Sequence, residues 1–298
     1  MHLKGVFTAS LTPMKPDLSI DYDRLLRHGQ HLLEMGCDGI AFLGTTGEAN
    51  SFSVDERLSL IDAVGKSELP KDRILIGTGC CALPDTVRLS RHALNNGFTG
   101  LLVLPPFYYK NLSEAGLAEY FHRLMDSLND ERVKIILYHF PKLSGVPFSI
   151  QLLERLIKDY PKNICGIKDS GGNFENMRAM AKAFPGFAVF SGTEKFLLPV
   201  LEAGGAGCIT ATANITGRKA AEIYKGFING SPVTAEQEHL ASVRSAMDPY
   251  PLIGMLKKLM VVAGGDPEWQ HIRPPNTLMQ EPDFRALTEK LDTLGFRL

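Results

Sequence analysis

Three observations predict an α/β fold, a (β/α)8 TIM barrel with a C-terminal helical extension. Eight short apolar runs follow one another along the 298-residue chain, stretches with helical spacing separate them, and no strand-like run follows the eighth. Strict strand–helix alternation implies a parallel sheet with right-handed crossovers, and eight such units over this length close a barrel. An open doubly wound sheet would favour a glycine-rich loop after its first strand, and Ala9-Ser10-Leu11-Thr12-Pro13 is not one.

The strands are predicted near residues 5–11, 39–44, 74–79, 100–104, 133–140, 164–168, 187–191 and 207–212. Leu25, Leu26, Leu32, Leu33 and Met35 make the apolar stripe of the first helix. Leu58, Ile61 and Val64, then Val87, Leu89, Ala93 and Leu94, mark the next two. The stripes Leu117, Phe121, Leu124, Leu128 and Ile150, Leu153, Leu156, Ile157 continue the pattern. Helix starts are signalled by Ser53 with Glu56 three residues on, by Ser113, by Ser149, and by Pro84-Asp85 in a first turn. Gly36, Gly97 and Gly204 stand where helix ends precede strands. Three helical stretches, 234–247, 252–264 and 283–294, come last. The reading is a catalytic barrel over 1–229 and a helical extension over 230–298, with no repeat and no low-complexity segment.

Hydrophobic content of 44%, charged content of 22% and a formal net charge of -1 suit a soluble globular protein. They give no footprint for nucleic acid or for an anionic membrane surface. No run approaches a membrane span, and no secretory signal is expected at the start. The five cysteines contain no C-x-x-C pair, and Cys80-Cys81 are too close for an easy bridge. The expectation is a reducing, cytoplasmic setting.

In a barrel of this kind chemistry sits at the C-terminal ends of the strands. Lys168 closes the apolar run Ile164-Cys165-Gly166-Ile167. Period two puts Ile164, Gly166 and Lys168 on one face, with Gly166 leaving room beneath the amine. A lysine is costly beside a core unless paired or used. A nucleophilic one must be held partly neutral, which burial favours. The bland alternative is a salt bridge to Asp169. Tyr138 ends the fifth strand and offers a phenol for proton transfer; equally, it could simply cap the barrel. Gly44-Thr45-Thr46-Gly47-Glu48 follows the second strand with backbone donors and two hydroxyls suited to a small carboxylate, or is an ordinary turn. Singly these signals are weak; at three strand ends of one barrel they reinforce each other. His28 and His31 are spaced to share a metal, but no ligand motif accompanies them and a solvated helix face is the better reading. Glu48 reads as helix-start packing, and Arg273-Pro274-Pro275-Asn276 as a rigid linker.

Over 5 to about 214, with a weaker tail, the chain resembles the dihydrodipicolinate synthase / N-acetylneuraminate lyase family of class I pyruvate aldolases. The motifs are GVFTASLTP at 5–13, GTTGE at 44–48, PPFYY at 105–109, YHFP at 138–141, GIKDS at 166–170 and TAN at 212–214. The resemblance implies Lys168 as Schiff-base lysine and Tyr138 as general acid/base. It implies Thr45 and Thr46 as holders of the pyruvate carboxylate and proton relays, and Ile209 as a residue whose backbone lies beside that carboxylate. Either Tyr108 or Tyr109 matches a tyrosine reaching a neighbouring subunit's site, so self-association as a homotetramer or dimer is implied. No metal or organic cofactor is implied.

The chain departs from the family pattern in the half of the site that takes the second substrate. Synthases carry an arginine where Leu143 stands, and neuraminate lyases an acidic pair where Glu194-Lys195 stands. His139 replaces a frequent asparagine and should face away from Tyr138. Ser170, Thr193, Glu194 and Lys195 lie where the non-pyruvate part of a substrate would sit. Solvating a helix start is an equal reading of Glu194 and Lys195. The first reading is therefore a lyase for a 2-oxo-3-deoxy or 4-hydroxy-2-oxo acid, acting on pyruvate and an aldehyde. Dihydrodipicolinate synthase, N-acetylneuraminate lyase and a non-catalytic oxo-acid-binding barrel are the alternatives.

Overall fold

The computed structural model describes residues 3–298. Its eight predicted strands are present as β1 Gly5–Ala9, β2 Gly39–Phe42, β3 Ile74–Gly77, β4 Gly100–Val103, β5 Lys134–His139, β6 Ile164–Asp169, β7 Ala188–Ser191 and β8 Gly207–Thr210. They pair in sequence order, all parallel, and β8 closes on β1. Several apolar runs extend past the strands they contain. Leu11 and Leu43, beyond β1 and β2, are loop residues that remain buried. Apolarity reports burial, and here burial outlasts the ladder.

Phe7, Ala9, Ala41, Leu75, Leu102, Ile136, Ala188, Phe190 and Ile209 fill the barrel interior together with Tyr138. The alternate residues of the same strands, such as Ile40, Ile76, Leu101 and Val189, join the larger core beneath the helices. One strand breaks the alternation expected of it. Ile135 pairs with Ile164, but Ile136 pairs with Gly166, so Cys165 is skipped. Ile164 consequently packs outward, whereas Gly166 and Lys168 keep the inward face. The space beside Gly166 is also not a berth for the amine: an added Cβ would lie 2.4 Å from the Ala188 carbonyl oxygen and 3.1 Å from Ile136 Cδ1. Glycine is there for close strand approach.

The helices are α1 Tyr22–Glu34, α2 Val54–Gly65, α3 Leu83–Asn95, α4 Glu114–Leu128, α5 Pro141–Ser144, α6 Ile150–Asp159, α7 Phe174–Ala183, α8 Leu197–Glu202, α9 Ala213–Ile228, α10 Thr234–Met247, α11 Leu252–Gly264 and α12 Glu281–Thr293. The expected signals start and stop them: a complete Ser53/Glu56 capping box on α2, Ser113 on α4, Ser149 on α6, and Pro84 in the first turn of α3. Gly36, Gly97 and Gly204 follow helix ends with positive φ. α5, at four residues, is too short to show a period in sequence.

Helices α10 to α12 build a second apolar cluster around Val243, Met247, Met255, Leu259, Trp269 and Leu287. Leu11 and Ala211, just past β1 and β8, belong to that cluster. The extension therefore packs at the C-terminal ends of the strands, the rim on which chemistry is expected. Among the described residues no helix is long and apolar enough to cross a membrane.

Candidate active site

Strands β5 and β6 place Tyr138 and Lys168 side by side as register partners. Both are buried, each 3% exposed, and Lys168 Nζ lies 4.3 Å from the centroid of the Tyr138 ring. The phenol oxygen is 3.4 Å from Thr45 Oγ1, and Phe140, two residues on, stacks on the phenol ring. Thr45 sits in the loop after β2, which bends through left-handed backbone at Leu43 and Glu48, both at φ 56°. That loop lies directly over β3: a Cβ on Gly77 would come within 2.0 Å of the Leu43 carbonyl oxygen. Glycine at 77 thus leaves room for the loop that brings Thr45 to the phenol.

Alternation turns Asp169 away from Lys168. Its carboxylate accepts from the Gly171 amide and the Asn176 side chain, each at 2.7 Å, and lies 4.0 Å from His139 Nε2. The alternative salt bridge from Lys168 to Asp169 is not among these contacts. His139 faces away from Tyr138 as expected, and its Nδ1 accepts from the Phe148 amide. Burial pulls the His139 imidazole below the usual range, while the Asp169 carboxylate opposes that shift.

A cavity of about 540 Å³ opens above these groups, with Thr45, Thr46, Tyr138 and Lys168 on its walls together with Ser170, Thr193 and Lys195. Of the residues expected at the site, Ile209 is buried among the interior side chains of the barrel. Tyr108 and Tyr109 stand outside the cavity, 74% and 70% exposed, packed edge-to-face on each other. Glu194 is a correction. It neither solvates a helix start nor lines the cavity: it is fully buried, and its carboxylate accepts from the hydroxyls of Thr210 at 2.5 Å, Thr216 at 2.8 Å and Thr212. Three hydroxyls on β8 and the start of α9 compensate for its desolvation. Lys195 does reach the cavity wall, where it pairs with Asp248 at 2.9 Å.

Sequence reasoning missed that the extension supplies part of the wall. Arg244 and Asp248, at the end of α10, line the cavity with Leu252 of α11. The spacing of four residues between Arg244 and Asp248 was legible as a helical ion pair, but its location was not. Three structural assignments also change. Glu48 is buried and ion-paired with fully buried Lys257 of α11 at 2.6 Å, and it accepts from the Arg273 amide. Arg273 is no mere linker residue, since its guanidinium pairs with Glu56 and bonds the Leu18 and Ser51 carbonyls. His28 is buried, bonded to Asn214 Oδ1 at 2.8 Å and edge-on to Trp269, while His31 is exposed, so the two do not form one solvated face. Among the described residues no group of three or more His, Cys, Asp or Glu gathers to hold a metal ion. A larger hollow of about 670 Å³ lies at the opposite end of the barrel among Leu3, Ile164, Phe187 and Ala206, remote from Lys168 and the loops around it.

A family model described as the dihydrodipicolinate synthetase family matches residues 2–293. The chain is 34% identical to a Chloroflexus aurantiacus protein named as an uncharacterized DapA-like lyase, over 89% of this chain and 88% of that one. It is 32% identical to a 4-hydroxy-tetrahydrodipicolinate synthase of Methanothrix thermoacetophila, over 88% of each. In structure it is similar to YagE, a prophage protein of the dihydrodipicolinic acid synthase family from E. coli K12 solved in complex with pyruvate. The TM-score is 0.90, with 27% identity and full coverage of both chains.

Proposed function

The chain belongs to the dihydrodipicolinate synthetase family, and from that premise we propose that it is a class I lyase that joins pyruvate to an aldehyde, or cleaves the product, through an imine on Lys168. The observation that carries the reading is the buried lysine amine held against a tyrosine ring whose hydroxyl meets Thr45. The pyruvate complex of YagE supports the choice of oxo acid.

In the proposed reaction the neutral Lys168 amine attacks the keto carbon of pyruvate, and the carbinolamine loses water to leave a protonated imine. That cation accepts the electron pair released when a proton leaves the adjacent methyl carbon, giving an enamine. The enamine carbon then forms the new carbon–carbon bond with the aldehyde, whose oxygen takes up a proton. Water finally releases the product from Lys168. Tyr138 is the proton carrier for these steps, because its phenol is beside the amine and linked to Thr45. Thr45, Thr46 and the Ile209 backbone hold the pyruvate carboxylate. Tyr108 or Tyr109 completes a neighbouring copy's site in a homotetramer or dimer; the exposure of two adjacent large aromatic side chains supports this. The enzyme works in the cytoplasm.

The favoured products are 2-oxo-3-deoxy or 4-hydroxy-2-oxo acids. The second reading, 4-hydroxy-tetrahydrodipicolinate synthase, is favoured by the names of several relatives, among them that from Methanothrix. Against it, Leu143 is 62% exposed and apolar where that reaction needs a guanidinium. Borohydride reduction in the presence of pyruvate is the test. The peptide carrying Lys168 should gain the mass of the reduced adduct, and an unmodified Lys168 under saturating pyruvate would remove the mechanism.

A further inference from the structure

The second-substrate side of the cavity is built around a guanidinium that the family resemblance does not anticipate. Arg244 projects from α10 into the cavity wall, 14% exposed, with Glu194 behind it and Asp248 beside it. The Glu194 carboxylate, fixed by three threonine hydroxyls, sits 3.9 Å from Arg244 Nε, and Gln237 of the same helix bonds the Glu194 carbonyl at 2.9 Å. These contacts fix where α10 and its arginine stand against the barrel. In front, the carboxylate of Asp248 lies 2.5 Å from Arg244 Nη1 and 2.9 Å from Lys195 Nζ. Lys142 also lines the cavity. Apart from Lys168, the cavity lining therefore presents three cations, Lys142, Lys195 and Arg244, against the single carboxylate of Asp248. Glu194 has no exposed surface there.

Resting on the reading of the site given above, we propose that Arg244 and Lys195 form the recognition site for a carboxylate on the second substrate, so that the aldehyde partner carries an acid group and the condensed product is a 2-oxo diacid. Three features point this way. A planar guanidinium matches a carboxylate better than it matches a hydroxyl. The two cations are already held around one carboxylate, that of Asp248, which fills the place when no substrate does. Asp248 is 41% exposed at its side chain and can swing to solvent when a substrate carboxylate replaces it. Glu194 acts as a positioning residue: it keeps the guanidinium facing the cavity by compensating its charge from behind. The same residue explains why an acidic side chain follows β7 without lining the cavity.

Matched aldehydes test the idea: glyoxylate against glycolaldehyde, and 4-oxobutanoate against butanal, each with pyruvate. The wild-type protein should favour the acid of each pair. In Arg244→Met the ratio of kcat/KM between acid and neutral partner should fall roughly 10- to 100-fold, the size of a lost charge-assisted contact, mostly through KM. Arg244→Lys should recover part of it. Asp248→Asn, which removes the competing carboxylate and keeps the arginine, should lower KM for the acid aldehydes. Trapping of pyruvate on Lys168 in every variant separates this inference from the mechanism beneath it. Loss of trapping in the wild-type protein sinks the mechanism. Intact trapping with equal rates on acid and neutral aldehydes, or an acid preference that survives Arg244→Met, overturns the assignment of Arg244.

Discussion

Lys168 and Tyr138 occupy one register line of one barrel, and that placement decides how much each can do alone. The bulge at Cys165 matters here, because it brings both Gly166 and Lys168 inward and seats the amine over the ring of Tyr138. Replacing Tyr138 by Phe keeps the ring and removes the only hydroxyl on it. Turnover should drop by roughly 10²- to 10⁴-fold, the usual scale of a lost general acid/base, while borohydride still traps pyruvate on Lys168. Near-normal turnover in steady-state assays would move the proton relay to another group. Both residues were legible in the sequence, since a lysine and a tyrosine that end apolar strands are conspicuous. The direction of Glu194 was not legible. A glutamate that follows a strand looks solvated until the hydroxyls of Thr210, Thr212 and Thr216, up to 22 residues away, are seen to close on it.

Elements were predicted where local physics sets them and missed where distant partners do. The eight strands and the main helices follow from apolar runs, serine caps and glycine ends, all read within a few residues. The joint between the GTTGE loop and α11 depends on Glu48 and Lys257, which no local pattern connects. Burial pulls the Lys257 ammonium below its usual range, and the Glu48 carboxylate holds it against that shift. Lys257 Nζ also donates to the His271 carbonyl at 2.6 Å, so one side chain ties the loop to both α11 and the segment beyond it. Lys257→Met should cost roughly 3–5 kcal/mol, because it leaves a carboxylate buried without its cation. Adding Glu48→Gln to that variant should return part of the loss. Denaturant midpoints for both single variants and the double variant decide it: single losses that simply add in the double would mean that the pair contributes no coupling. Since only Gly47 separates Glu48 from the threonine pair, the Lys257→Met variant should also raise KM for pyruvate.

At the scale of the whole molecule, the extension is fastened to the barrel through a histidine rather than through apolar packing alone. Asn214, in the first turn of α9, receives the His28 ring of α1, accepts from the Leu11 amide and donates to the Ala9 and Ala211 carbonyls. Trp269, from the segment after α11, packs edge-on to the same ring. One imidazole thus joins α1, the end of β1, α9 and the extension, donating from Nε2 to Asn214 Oδ1, and burial favours its neutral form. Burial lowers its pKa from 6.5 to about 4, the Asn214 contact opposing that shift. The unfolded chain then binds the extra proton first as pH falls, so the contribution of His28 to stability is complete above pH 6.5 and is lost between 6.5 and 4. The size is about 2 kcal/mol by pH 5, from the separation of the two pKa values at about 1.4 kcal/mol per unit. Urea denaturation at pH 7.5 and at pH 5 should show the wild-type protein losing about that much more than His28→Gln, whose amide does not titrate. Tryptophan emission, which here comes from Trp269 alone, follows the joint directly. Parallel losses in the two proteins would assign the acid sensitivity to other groups and leave His28 as a packing residue.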